Sequence, residues 1–417
     1  MNSLPKCYDK VVALIKKGVD IPNPLTIDLG DEVAADQISG KGVRIYPGCR
    51  IYGKETVISA GCRIGYEAPV TIDSCQLGPD VELKGGFFTK SVFLEKANMG
   101  SGAQVREGCI LEEEANGAHC VGIKQTILFP FVTLGSLINF CDCLMAGGTS
   151  RKDHSEVGSS YIHFNFTPDG DKTTASLFGD VPRGVMLNQP AIFLGGQGGT
   201  VGPSRLGYGN VVAANSVLRN DFIEDNQLIV EKLQAGKRTD FQPRAYPGIR
   251  RVVENNIIYI ANLMALEQWY LYVRRPFLDR QEFGGLMFSG LVDKLALGKK
   301  ERIKRLQVLA EKAKMSSQQD EGTNPETAGR NEFSDRFDEI EALFAAGAGE
   351  HGNEQTRDEF LSAFHRARGG AQADYIVAIQ GLPAEISGQG TRWLQGIVDA
   401  LCSKAGEIVP SLRLFDN

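Results

Sequence analysis

Ile45-Tyr46-Pro47-Gly48-Cys49-Arg50-Ile51-Tyr52-Gly53 carries the pattern that decides the fold. Ile45 and Ile51 lie six residues apart, and Val57 follows at six again. The same step recurs in Ile58, Ile64 and Val70, in Met99, Val105 and Leu111, and in Leu206, Val212 and Leu218. Many of these aliphatics precede a glycine, as at Ile64-Gly65, Leu77-Gly78, Leu134-Gly135 and Leu206-Gly207. One inward aliphatic and one turn glycine per six residues is the hexapeptide signature of a parallel β-helix. Each coil of such an array buries its apolar side only against its neighbours, so the ends need caps.

Composition agrees. Glycine supplies 48 of 417 residues, well above the roughly 7% of average usage. With only 17 prolines and no G-X-Y period, the excess serves repeated turns rather than a collagen helix. A net charge of −6 argues against a dedicated nucleic-acid binder. The longest apolar stretch, Ile257 to Leu266, is too short to span a membrane and is interrupted by Asn262. Met1-Asn2-Ser3-Leu4-Pro5-Lys6 lacks the apolar core of a secretory signal, and nine cysteines form no CxxC pair. Cys141-Asp142-Cys143, the nearest approach to a metal motif, reads as small buried side chains. Reduced thiols in a cytoplasmic protein are the expectation.

The chain divides into an N-terminal helix and cap (1–40), a β-helix (41–240), a helical region (241–315), a polar linker (316–332) and a second helical region (333–417). In the first helical region Val253, Ile257, Ile260 and Met264 share one helical face, and Trp269, Tyr270 and Tyr272 form an aromatic stripe suited to packing. The basic run Lys299-Lys300-Glu301-Arg302-Ile303-Lys304-Arg305 reads as a solvated helix face, with contact to phosphate or an acidic partner as the alternative.

The β-helical zone resembles the left-handed β-helix of the sugar-nucleotide acyltransferases, in particular the acetyltransferase half of the bifunctional N-acetylglucosamine-1-phosphate uridyltransferases. The resemblance rests on Lys17 to Pro24 at the entry, Ile45 to Gly53 in the first coil and Asn210 to Val217 in the last, so it covers roughly residues 17–222. It implies a homotrimer, acetyl-CoA or another acyl-CoA as cofactor, and a sugar phosphate or nucleotide sugar such as UDP-N-acetylglucosamine as ligand. Uridylyl transfer is not expected, because no glycine-rich nucleotide loop on a strand–helix unit precedes the β-helix.

Residue by residue, Cys120-Val121-Gly122-Ile123-Lys124 resembles the family segment whose lysine grips the sugar phosphate, so Lys124 takes that role. Val157 to Phe166 resembles the segment whose asparagine and tyrosine meet the amino sugar, which assigns Asn165 and Phe166. Pro168-Asp169-Gly170-Asp171-Lys172 resembles the extended loop that follows, and Lys172 its substrate-reaching lysine. The departure is the base. Ser136-Leu137-Ile138-Asn139-Phe140-Cys141-Asp142 puts a serine where the family has its catalytic histidine, and a serine hydroxyl does not titrate near pH 7.

If transfer survives, His163 and then His154 are the candidate bases. Together with His119 they also loosely suggest the three-imidazole zinc site of γ-class carbonic anhydrases, although the companion residues of that family are not recognisable. Gly195-Gly196-Gln197-Gly198-Gly199 reads as a flexible insertion, with anion binding as the alternative. The sequence therefore supports a sugar-phosphate-binding β-helix with acyltransferase ancestry. The competing class is a non-catalytic binding or scaffold protein whose helical region recruits a protein partner.

Overall fold

The computed structural model describes residues 5–231, 236, 238–246, 248–318, 325–347, 354–368 and 373–416. Residues 28–229 wind into a parallel β-solenoid of about 11 turns. Its three faces are parallel sheets. The first runs over ten strands from Asp28–Leu29 to Val217–Leu218, and the second over ten from Arg44–Ile45 to Leu228–Ile229. The third runs over eight, from Val57–Ile58 to Arg205–Leu206.

Most strands are only two or three residues long, so each points one side chain inward and its neighbours outward. On the first face the stacked inner row is Ile51, Ile72, Phe88, Val105, Ile123, Phe140, His163, Thr200 and Leu218. All nine are buried. Burial of each large aliphatic or aromatic member contributes about 1.5–3 kcal/mol, so the hexapeptide pattern is what holds successive coils in register.

The corners are less dependent on glycine than the sequence suggests. At one corner Gly42, Gly61, Asp80, Lys96, Glu114 and Phe131 stack in a column, each with φ between 56° and 75°. Four of these six are not glycine, although the left-handed conformation costs such residues about 1–2 kcal/mol. The backbone bonds between coils, such as Asp80 N to Ala60 O and Glu114 N to Glu95 O at 2.9 Å, over-determine the turn. Gly195–Gly198 is likewise an ordinary coil turn between strands Phe193–Leu194 and Gly199–Val201, which corrects the expected flexible insertion. A Cβ at Gly195 would lie 2.4 Å from Ala214 N in the next coil, so close stacking explains that glycine.

Helix α1 (Tyr8–Lys17) caps the open end of the solenoid. Lys10 Nζ donates to the carbonyls of Gly30, Asp31 and Val33, and Lys17 Nζ to those of Ala35, Asp36 and Ile38. Two ammonium groups thus satisfy backbone acceptors that no further coil is present to bond. The short α2 (Val181–Gly184) interrupts the later coils, with Asp180 as its N-cap.

After the solenoid come α3 (Arg250–Trp269), a π-helical turn at Tyr270–Arg274, α4 (Arg275–Leu278) and α5 (Gly284–Ser317). There follow α6 (Pro325–Asp335), α7 (Phe337–Ala345), α8 (Glu354–Arg368), α9 (Tyr375–Gln380) and α10 (Ala384–Ile408). Of the expected linker 316–332, Ser316 and Ser317 close α5 and Pro325 opens α6, while residues 319–324 lie outside the described residues.

The helices lie on the third face of the solenoid: α5 packs on strands Gln76–Leu77 and Val92–Phe93, and α3 on Ser176–Phe178. Three buried asparagines clip α3 down. Asn255 donates to Asp221, Asn256 to the carbonyl of Thr173, and Asn262 accepts from the backbone N–H of Val181. Asn262, which interrupts the apolar run in the sequence, is therefore a tether. Trp269 and Tyr270 of the aromatic stripe are buried, whereas Tyr272 lies at the surface under Arg357. Among the described residues no helix is long and apolar enough to cross a membrane.

Candidate functional site

A cleft of about 360 Å3 opens between the first face of the solenoid and α5. Lys124 stands on its solenoid wall, in register with Cys141 of the next coil, and Arg106 follows the inner residue Val105 one coil earlier. Asn165 and Lys172 enter from the loop after strand Ile162–Phe164, and α5 supplies Glu301, Arg302 and Arg305. The structure thus brings together Lys124, Asn165 and Lys172, residues spread over 49 positions of the sequence.

Five cationic side chains and two carboxylates line this cleft. Arg302 Nη2 is 2.8 Å from Asp142 Oδ1, Arg305 Nη2 is 2.6 Å from Glu301 Oε1, and Lys124 Nζ is 2.6 Å from Glu107 Oε1 at the margin. Burial raises the Glu107 carboxyl, but the bond from Lys124, a backbone hydrogen bond and the charges of Lys124 and Arg106 together leave the pKa below its usual value. Two cations remain without a carboxylate among the described residues. Lys172 is exposed and makes no ion pair, and Arg106 reaches only the Cys141 sulfur, at 3.6 Å. The cleft carries two uncompensated positive charges.

The basic run at Lys299–Arg305 is a solvated face only in part: Lys300 and Lys304 are exposed, but its other cations are engaged. Arg302 is 3% exposed and paired, Lys299 is bonded to Glu267 at 2.6 Å, and Arg305 joins the cleft. The loop carrying Lys172 is tied to the rest of the chain at two points. Lys312 of α5 donates to the Asp169 carbonyl, and Tyr246 donates to Asp171 Oδ2 at 3.1 Å. Lys172 itself, with φ +60°, projects from this tethered loop.

His163 lies inside the coil rather than in the cleft proper. Its ring sits edge-on to Phe140 and Phe178, and Nε2 is 2.7 Å from Ser176 Oγ. Ser176 Oγ also accepts from the backbone N–H of Ser204, which fixes its position beside the imidazole. Burial, reinforced by the positive charge of Arg302, lowers the His163 pKa to about 3. It is a neutral, hydrogen-bonded core histidine, not a base presented to substrate. His163 nonetheless contributes to the cleft lining.

The remaining assignments fall elsewhere. His154 belongs to a small antiparallel hairpin, Gly148–Ser150 with Asp153–His154, where Nδ1 is 3.0 Å from the Arg151 carbonyl and Nε2 3.7 Å from Glu156. It does not line the cleft. Phe166 is 69% exposed on the loop and also lies outside the lining, which Phe164 joins instead. Ser136 sits at the turn leading into strand Asn139–Cys141, at the opposite end from Asp142, with its N–H on Ser159 Oγ at 3.2 Å. His119 is at that same edge and pairs with Glu67 at 3.4 Å.

With His163 turned inward, the three imidazoles do not form a surface zinc site. Among the described residues no group of three His, Cys, Asp or Glu side chains is arranged to hold a metal ion.

Sequence reading did not single out Arg106, and it named Arg302 and Arg305 only within the basic run, where phosphate contact was the alternative reading. Arg106 was legible in principle: it follows the inner residue Val105 and stands eighteen residues, three hexapeptides, before Lys124. The two α5 arginines carried no such signal, because nothing local says which face of a helix meets a distant coil. No protein-family model matches the chain, and neither does any curated protein.

Proposed function

We propose that this protein binds a phosphorylated sugar, free or as part of a nucleotide sugar, in the cleft between the solenoid and α5. The observation that carries the reading is the pair of uncompensated cations, Arg106 and Lys172, beside Lys124 and Asn165. A phosphate monoester brings close to two negative charges at neutral pH, and charge-assisted bonds from lysine and arginine contribute about 1.5–3 kcal/mol each. Asn165 offers a carbonyl and an amide to sugar hydroxyls or an N-acyl group, and Thr167 Oγ1 orients it by donating to Oδ1 at 2.8 Å. A volume of about 360 Å3 suits one sugar phosphate.

The β-solenoid is compatible with hexapeptide-repeat transferases, but the cleft favours binding over acyl transfer. Neither proton-carrying group on its floor titrates near neutrality. Burial holds His163 at about 3 and pushes the Cys141 thiol up, helped by the neighbouring Asp142 carboxylate. General-base assistance is typically worth 10²–10⁴-fold, so acetyl transfer from acetyl-CoA should be very slow here. In this reading α5 supplies the second wall of the cleft from within one chain.

The test is a thiol-release assay with acetyl-CoA and glucosamine 1-phosphate, run beside equilibrium binding of the same sugar phosphate. Binding without turnover supports a binding protein. Robust turnover that survives His163→Ala and His154→Ala would mean that another base operates and would overturn this reading.

A further inference from the structure

A larger cleft, of about 840 Å3, opens where the last coils of the solenoid meet α10 and the C-terminal turn. It shares no lining residue with the cleft described above. Its deeper wall is apolar, formed by Leu177, Leu206, Ile258, Val398 and Leu414. Its rim is charged, with Arg183 and Arg205 on the solenoid side and Asp399 and Glu407 on α10.

On the solenoid side Arg183 is committed, at 2.6 Å from Asp180 and 2.5 Å from Asp225. Arg205 is not. Its nearest carboxylate, Asp221, is 3.7 Å away and is already held by Arg251 and Asn255. Arg205 Nε is buried without a hydrogen-bond partner among the described residues. A buried donor left unmet carries a desolvation cost that a bound acceptor relieves. Arg413, exposed at the C-terminal turn, makes no ion pair among the described residues.

On the other side Asp399, Ser403 and Glu407 recur every four residues and so share one edge of α10. Gly406 lies beside them. A Cβ at Gly406 would meet nothing nearer than 3.6 Å, so packing does not require a glycine there. Glycine weakens a helix interior, and its effect at this position is to keep a side chain out of the cleft.

We infer that this cleft binds a nucleoside phosphate. The base lies on the apolar wall, the ribose hydroxyls meet the Asp399 and Glu407 carboxylates, and the phosphates meet Arg205 and Arg413. The lining thus offers an apolar surface for a base, carboxylates for ribose hydroxyls and cations for phosphates. An acyl chain with a terminal carboxylate would use the apolar wall and the arginines but would cover the two α10 carboxylates without bonding them, which is unfavourable.

The test is calorimetric titration of the full-length protein with UMP, UDP and ADP, on the wild type, Arg205→Gln and Gly406→Leu. Leucine is a better helix former than glycine, so Gly406→Leu should fold, and its melting temperature verifies that. The expected result is saturable binding of at least one nucleotide, weakened tenfold or more by each substitution. Three results would overturn the inference: no binding at millimolar nucleotide, binding unchanged in a normally melting Gly406→Leu, or binding lost in Lys172→Ala but kept in Gly406→Leu. Oleate binding that Gly406→Leu abolishes, with no nucleotide binding, would overturn it in favour of an acyl chain.

Discussion

Arg302 Nη2 lies 2.8 Å from Asp142 Oδ1, joining the middle of a 34-residue helix to a left-handed corner of the solenoid 160 positions earlier. The Arg302 side chain is 4% exposed and that of Asp142 16%, so the pair is largely shielded from water. Removing one partner of such a pair strands the other charge, at a typical cost of about 3–5 kcal/mol. Arg302→Met alone should therefore destabilise the helical region strongly, and Arg302→Met with Asp142→Asn should recover much of the loss. Thermal unfolding followed by tryptophan fluorescence checks this, since Trp269 and Trp393 both lie buried in that region. Equal melting of the single and double variants would contradict it.

Two buried groups give the stability a specific pH profile. Glu112, bonded by Tyr270 and near both Arg274 and Glu113, is raised to about 7, chiefly by burial. It binds its proton more tightly folded than unfolded, so its contribution is complete below about pH 4.5 and is lost as pH rises to about 7. His163, lowered to about 3 from 6.5, acts oppositely: its contribution is complete above about 6.5 and is lost as pH falls towards 3. Between about pH 4.5 and 6.5 the two slopes offset. Glu112→Gln should remove one of them, so that its stability relative to wild type rises with pH through that window. Denaturant unfolding at pH 5, 6 and 7 measures the difference, and a pH-independent difference would refute the assignment.

The second face of the solenoid ends in an exposed apolar ladder. Phe193, Val211 and Leu228 pair in register on successive coils and are 40%, 42% and 73% exposed. Because α3 and α5 cover the third face, this ladder is the surface on which copies of the chain should associate. Light scattering should return a trimer, three times the 45.3 kDa chain mass, and Leu228→Lys with Val211→Lys should dissociate it. A monomer at micromolar wild-type protein would contradict this.

The solenoid was legible because its information is local. A six-residue period writes the inner row directly into the chain, and Ile45, Ile51 and Val57 are buried as that period requires. The same period could have paired Arg106 with Lys124. What the sequence hid is everything that depends on how the helices lie on the coils. Arg302 looked like a solvated charge because its partner, Asp142, is far away in sequence. His163 looked like a possible base because adjacency to Asn165 says nothing about orientation, yet strand alternation turns His163 inward and its neighbours outward. Glu112 and Glu113 gave no signal either, since their partner Arg274 comes from the π-helical turn between α3 and α4.

The central claim is that Arg106 and Lys172 hold the phosphate of a sugar phosphate, and calorimetric titration with glucosamine 1-phosphate and with unphosphorylated glucosamine tests it most directly. The account predicts saturable binding of the phosphate ester alone, weakened about tenfold or more in Lys172→Ala and in Arg106→Gln, since each removes one charge-assisted bond. Equal affinity for the two sugars, or wild-type affinity in both variants, would contradict it.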